Sequence, residues 1–79
     1  MKIINFVLQT EKIRYKFPLD ISADTIDKTI RREFNLLNDV NYSLVDTADN
    51  TIIDISTVKY LNDESQILIR IKSIENRSQ

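Results

Sequence analysis

The segment KIRYKFPL, residues 12–19, places a large apolar side chain at every second position. This period of two is typical of a β-strand that buries one face. A similar alternation in MKIINFVL predicts a partner strand, and we expect a hairpin that turns around Thr10 and Glu11. This register puts the large residues on one side of the hairpin. The expected pairs are Leu8 with Ile13, Phe6 with Tyr15, and Ile4 with Phe17.

The second strand also carries basic residues and ends in proline. Arg14 and Lys16 lie between the apolar positions, and Pro18 has no backbone N–H to donate. Proline within a sheet is largely confined to edge strands. The sequence therefore predicts an edge strand whose exposed face is basic.

The apolar period changes to that of a helix in SADTIDKTIRREFNLL. We expect Asp24 to cap the helix and Asp27 to pair with Arg31 one turn later. The apolar stripe consists of Ile26, Ile30, Phe34 and Leu37. A second, polar stripe consists of Lys28, Arg31, Arg32 and Asn35. A solvated face is the simplest interpretation of the polar stripe.

Three more strands and one short helix are predicted in the rest of the chain. YSLVD, TIIDI and QILIRIKSI read as strands three to five, and STVKYLNDE as a capped turn or short helix. In the last strand we expect Ile67, Ile69 and Ile71 to face inward. Leu68, Arg70 and Lys72 should face outward. Residues 1–74 are expected to form one domain, followed by a disordered tail, 75–79.

The composition excludes several kinds of chemistry. The chain has no Cys, His or Gly, so thiol nucleophiles, histidine bases and glycine-rich phosphate loops are ruled out. DTADNTIID lacks calcium-loop spacing and reads as turn and cap residues. Nucleic-acid binding is not expected, because it needs a broader basic field with exposed aromatics, and Phe6, Tyr15, Phe17 and Phe34 are expected to face the core. We therefore expect a non-enzymatic domain without metal, cofactor or small-molecule substrate. With neither a signal-peptide layout nor a long apolar segment, we expect it to be cytoplasmic.

Several of these segments resemble ubiquitin. ADTIDKTIRREF is similar to the start of the ubiquitin helix, which also carries Asp-Thr-Ile, and LVD and ILIRI match strands three and five. The resemblance implies an α+β ubiquitin-like β-grasp roll. Its mixed five-stranded sheet would have the order 2-1-5-3-4, with one main helix and a short helix before the last strand. Conjugation to other proteins is not expected, because the sequence lacks the Gly-Gly tail.

The stretch NYSLVDTADNTIIDI, followed by NDESQILIRI, resembles the small-GTPase-binding variants of that fold. These variants occur at the N-termini of some formins and engulfment-and-motility regulators. The resemblance implies an interaction module of a larger cytoskeletal or signalling protein, recruited to the cell cortex or membrane. It would bind a Ras- or Rho-family GTPase through Arg14 and Lys16 on strand two and Lys28, Arg31 or Arg32 on the helix.

Other interpretations use the same surface. Arg14, Lys16, Arg70 and Lys72 would suit the phosphoinositides of an anionic membrane. PB1-type pairing would join the basic face to an acidic loop, and Val45 with Leu68 matches the recognition face of ubiquitin. A basic edge also simply protects a sheet from aggregation. The sequence leaves these alternatives open.

Overall fold

The computed structural model describes residues 1–72, which form an α+β fold. The elements in chain order are β1 (Lys2–Leu8), β2 (Glu11–Phe17), α1 (Ala23–Glu33), β3 (Tyr42–Asp46), β4 (Thr51–Ile53), a 3-10 helix (Ile55–Tyr60) and β5 (Ser65–Ile71). The strands form one mixed sheet in the order β2-β1-β5-β3-β4, which confirms the predicted order. The expected disordered tail, 75–79, lies outside the described residues. No helix within residues 1–72 has the length and apolar character needed to cross a membrane.

The sheet has two edges, β2 and β4. The central pair, β1 and β5, runs parallel, while β2 pairs with β1, and β3 with both β4 and β5, in antiparallel fashion. Pro18 immediately follows β2, so the prediction of a proline-ended edge strand is confirmed.

The hairpin register differs from the expected one by two residues. Phe6 lies opposite Ile13, and Leu8 lies opposite Glu11, so the turn contains only Gln9 and Thr10. Gln9 takes a positive φ of 56°, which lets the chain reverse within two residues. A shift of two residues keeps every side chain on the same face. The apolar pattern therefore cannot distinguish the two registers, and turn length decides between them.

The helix begins and ends earlier than its sequence pattern predicts. Ser22, not Asp24, is the N-cap, because its hydroxyl accepts the Thr25 N–H at 3.1 Å. At the other end Asn35 takes a φ of 60°. The N–H groups of Asn35 and Leu36 then donate to the carbonyls of Arg32 and Arg31, at 3.3 and 2.7 Å. This Schellman arrangement stops the helix before Leu37, which is 70% exposed rather than part of the apolar stripe.

The core lies between α1 and the inner face of the sheet. Its buried residues come from every element except β4: Ile4, Phe6, Phe17, Ile21, Ile26, Ile30, Phe34, Leu44, Val58, Ile67 and Ile69. Ile71 lies opposite Tyr42, whose hydroxyl reaches Asp27 of α1, so it faces the helix side of the sheet as expected, but it remains 44% exposed. Ile71 lies beyond Leu68, the last β5 residue paired with β1, so the core does not extend that far.

Candidate functional site

The open side of β2 offers backbone groups to a partner. Residues that flank a two-residue turn form a hydrogen-bonded pair, and such pairs alternate along an antiparallel ladder. Lys12, Arg14 and Lys16 therefore occupy non-hydrogen-bonded positions, with their N–H and C=O groups directed away from β1. Ile3, opposite Lys16, supports this assignment. Its N–H donates to Asp63 at 3.1 Å and its C=O accepts from Glu64 at 2.8 Å, both on the β5 side.

The same three residues carry the positive charge of this edge. Their side chains alternate with Ile13, Tyr15 and the buried Phe17, so they share the outer face of the sheet. Neighbouring members of the set are about 6.8 Å apart along the strand. All three are exposed. We call Lys12, Arg14 and Lys16 the basic edge.

The central cation of the basic edge, Arg14, is bound by the carboxylate of Glu64, the residue immediately before β5. Arg14 donates to Glu64 from Nη2 at 2.5 Å and from Nε at 3.4 Å. Beneath this pair, Asn5 donates to the same carboxylate and to the Glu64 carbonyl, both at 3.2 Å. The hydrogen bonds from Arg14 and then Asn5 lower the pKa of Glu64, and the bond to Glu64 raises the pKa of Arg14. Asn5 is only 8% exposed although it lies on the outer face.

The predicted helix residues line one shallow cleft at the end of α1, with a volume of about 340 Å³. Lys28 pairs with Asp24 at 3.2 Å, and Arg32 with Glu33 at 3.4 Å. These cations remain exposed and lie on solvent-facing positions. Thr29, three residues before Arg32, accepts or donates a hydrogen bond to Tyr15 of β2 at 3.2 Å. Arg32 therefore lies on the β2 side of α1, whereas the side chains of the basic edge lie on the opposite face of the sheet.

Arg31, in contrast, is built into the fold. Its Nε donates to both Asp27 carboxylate oxygens, and its Nη1 donates to the carbonyls of Leu37 and Val40 at 2.7 and 2.8 Å. The guanidinium also lies 5.2 Å from the centre of the Tyr42 ring. With its side chain only 19% exposed, Arg31 has little surface for a partner. The predicted pairing of Arg31 with Asp27 is confirmed.

Tyr42 connects β3 to the same network. Its hydroxyl donates to Asp27 across the gap between β3 and α1. Burial, followed by the hydrogen bond to Asp27 and the charge of that carboxylate, raises the pKa of Tyr42. The network of Asp27, Arg31 and Tyr42 thus holds the loop after α1 against β3.

The four residues predicted to bind lipid do not form a cluster. Lys16 lies opposite Ile3, four positions before Val7, and Arg70 lies two positions beyond Leu68, which pairs with Val7. Arg70 is therefore about 20 Å from Lys16 along the strand direction. The structure brings Arg14 and Lys16 together and places Arg70 near the opposite end of the sheet.

Lys72 lies still farther from the basic edge. It lines a groove of about 330 Å³ between α1 and the β3–β4 hairpin, which Asp27, Tyr42 and Asp54 also line. A single headgroup would therefore not reach both Lys16 and Lys72. Any lipid contact would have to be a broad one across the sheet.

An apolar row crosses the outer face. Val7, Leu68, Val45 and Ile52 lie opposite one another on β1, β5, β3 and β4. Val45 is only 2% exposed, whereas Ile52 at the far edge is 72% exposed. Of the two residues compared with the recognition face of ubiquitin, Val45 offers almost no surface and Leu68 is half-buried.

The three aspartates of DTADNTIID support local turns, as predicted. Asp46 accepts the Ala48 N–H, Asp49 accepts the Thr51 N–H, and Asp54 accepts the Ser56 N–H, at 3.0, 3.3 and 3.2 Å. The hydrogen bonds from Ser56 lower the pKa of Asp54. Each carboxylate therefore accepts a backbone N–H two residues later in the chain and stabilises the local turn.

Two residues of this surface are missing from the sequence-based site. In the expected register Lys12 belongs to the turn, so that register does not predict that it lies on the strand two residues before Arg14. Glu64 is 50 residues away from Arg14 and carries no local signal for their contact. A two-residue turn would have identified Lys12, while only the topology identifies Glu64.

A scan of this chain against protein-family models found no match, and no curated protein matches it.

Proposed function

We propose that this chain is a ubiquitin-like β-grasp interaction module that binds a Ras- or Rho-family small GTPase through the open edge of β2. The sequence resemblance and the observed strand order, with one main helix packed on one sheet face, support the fold assignment. The module is non-catalytic and acts within a larger cytoskeletal or signalling protein of the formin type.

One observation carries the proposal. Lys12, Arg14 and Lys16 combine outward-facing backbone groups with side-chain charge on the same three residues. A strand added here would gain main-chain hydrogen bonds from the edge, while side chains at alternate positions would give specificity. Pro18 lacks an N–H, so it limits the paired stretch to about residues 12–17.

The charge of the edge suits an acidic partner. Complementary charge speeds encounter and selects among partners more than it adds affinity. On the other face of the sheet α1 carries two further exposed cations, Lys28 and Arg32, and Arg32 lies on its β2 side. Arg31 is left out of the binding set, because its donors are used within the fold.

An NMR titration tests the proposal directly. The ¹⁵N-labelled chain would be titrated with Ras- and Rho-family GTPases, each loaded with a GTP analogue or with GDP. We expect shifts at residues 12–17 and at Lys28 and Arg32, with the GTP-analogue form only. Absence of shifts across the panel, or shifts confined to β4, would contradict the proposal.

A broad contact with an anionic membrane is the second candidate. Lys12, Lys16 and Arg70 lie on the outer face, and Lys72 lines the groove beside α1. Within residues 1–72 no carboxylate lies within 4.0 Å of the ammonium or guanidinium nitrogens of these four residues. Each basic residue near an anionic surface contributes about 1 kcal/mol. Co-sedimentation with phosphoinositide-containing vesicles tests this candidate, and binding that persists at high salt would contradict a purely electrostatic contact.

A further inference from the structure

Arg14 is the middle cation of the basic edge and, within residues 1–72, the one member of that set with a carboxylate bound to it. The pair is exposed, with 60% and 52% of the two side chains accessible. Water and an incoming carboxylate therefore both have access to the guanidinium.

The position of the Glu64 carboxylate is set by β1. The Glu64 N–H donates to the Ile3 carbonyl at 2.8 Å, and Asn5 donates to both the backbone carbonyl and the carboxylate of Glu64. The Glu64 backbone has a φ of 68°, which is uncommon for a residue with a β-carbon. These contacts hold the carboxylate above β1, where it draws the Arg14 guanidinium inward over the sheet.

A partner strand would lie on the other side of β2. Its residue opposite Arg14 would place a side chain on the outer face, beside the guanidinium and away from β1. Arg14 would then have to turn from Glu64 toward the partner. The two carboxylates compete for one guanidinium.

We propose that the Glu64 carboxylate binds the Arg14 guanidinium in the free protein and is replaced there by a carboxylate of the bound strand. This inference rests on the proposed binding at β2. The occupant of this edge is an extended segment with acidic side chains at alternate positions, matching Lys12, Arg14 and Lys16. Glu64 lowers the affinity of the edge for acidic segments, because its ion pair with Arg14 must first break. It lowers the affinity for neutral segments further, because they form no new ion pair with Arg14.

Glu64→Gln tests this inference, because glutamine can still accept the hydrogen bond from Asn5 while it lacks the charge. The matched control is Asp39→Asn, which removes the same charge from an exposed site in the loop after α1. Each variant would be titrated by NMR with a GTP-analogue-loaded GTPase. A short synthetic peptide in which glutamates alternate with valines provides a second probe, and a peptide with glutamines in their place is its control.

We expect Glu64→Gln to bind the acidic peptide about two- to fivefold more tightly than Asp39→Asn does, the range expected for an exposed ion pair. In an Arg14→Ala background the gain should disappear, because no guanidinium is left to release. Equal affinities of Glu64→Gln and Asp39→Asn would overturn the inference, as would failure of the acidic peptide to bind any variant. Peptide binding without GTPase binding would instead overturn the proposed function alone.

Discussion

Arg31 donates from Nε to both carboxylate oxygens of Asp27, at 3.1 and 3.2 Å. The pair sits on the side of α1 that faces β3, where Tyr42 donates to the same carboxylate. The sequence predicts this ion pair as a local i,i+4 contact. The sequence does not predict that Arg31 also attaches the following loop, which it does by donating to the carbonyls of Leu37 and Val40.

Arg31→Ala should lower the free energy of unfolding by about 2 kcal/mol, because it leaves two backbone carbonyls and a half-buried carboxylate without their charged donor. Urea denaturation followed by circular dichroism measures the change. Arg31→Lys should restore little of the loss, since an ammonium lacks the planar set of donors. The neighbouring Arg32→Ala is the control, expected within about 0.5 kcal/mol of wild type. Equal losses for Arg31→Ala and Arg32→Ala would contradict the structural role.

The raised pKa of Tyr42 predicts a loss of stability at alkaline pH. Once the pH exceeds the unfolded-state pKa of about 10, the unfolded chain releases the phenol proton while the folded chain keeps it. The free energy of unfolding therefore falls as pH rises from that point toward the folded-state pKa. Denaturation curves from pH 8 to 11 should show a steeper decline for wild type than for Tyr42→Phe. Parallel declines would rule out this linkage.

Asn35 should tolerate glycine but not alanine. Its φ of 60° ends α1, and a β-carbon without a compensating polar group is unfavourable there. We expect Asn35→Ala to lower stability by about 1 kcal/mol, whereas Asn35→Gly should equal or exceed wild type. Thermal melts of the two variants provide the measurement. An alanine variant as stable as the glycine variant would show that the left-handed cap contributes nothing.

Charge reversal at the basic edge should separate the two candidate functions. Lys12→Glu combined with Lys16→Glu should weaken GTPase binding by roughly tenfold or more, because both flanking cations would repel an acidic strand. Arg70→Glu combined with Lys72→Glu makes the same change in net charge elsewhere. This control should leave GTPase affinity within about twofold while it lowers vesicle binding.

The outcome is measured by isothermal titration calorimetry for the GTPase and by co-sedimentation for vesicles. If both double variants lose GTPase affinity equally, overall charge rather than the β2 edge is responsible. If neither changes binding to either partner, both candidate functions are wrong, and the role left for Lys12 and Lys16 is to keep the edge strand from aggregating.

Local patterns were sufficient to predict the order and type of the elements. The period of two in KIRYKFPL and the helical spacing of Ile26 and Ile30 both follow from the need to bury one face. Pro18 marked β2 as an edge strand for a separate reason, its missing N–H. The strand order itself came from the resemblance to ubiquitin, not from these patterns.

Local patterns were insufficient wherever two arrangements bury the same residues. The predicted hairpin register was wrong by two residues. The predicted and the observed registers both keep Phe6 and Ile13 on the core face, so the apolar pattern does not distinguish them. The cap at Ser22 and the exposure of Leu37 depend on where hydrogen bonds start and stop the helix, and apolar spacing does not report that.

The tertiary structure alone decides which cations are available to a partner. Composition places lysines and arginines near both ends of the chain, but their neighbours in space come from distant segments. Arg14 meets Glu64 because the parallel pairing of β1 with β5 brings the start of β5 beside the hairpin. Arg31 is less available, because it donates hydrogen bonds to carbonyls of the loop that follows its helix. Charge is a property of a residue, whereas its availability depends on the carboxylates and carbonyls that folding brings within hydrogen-bonding distance.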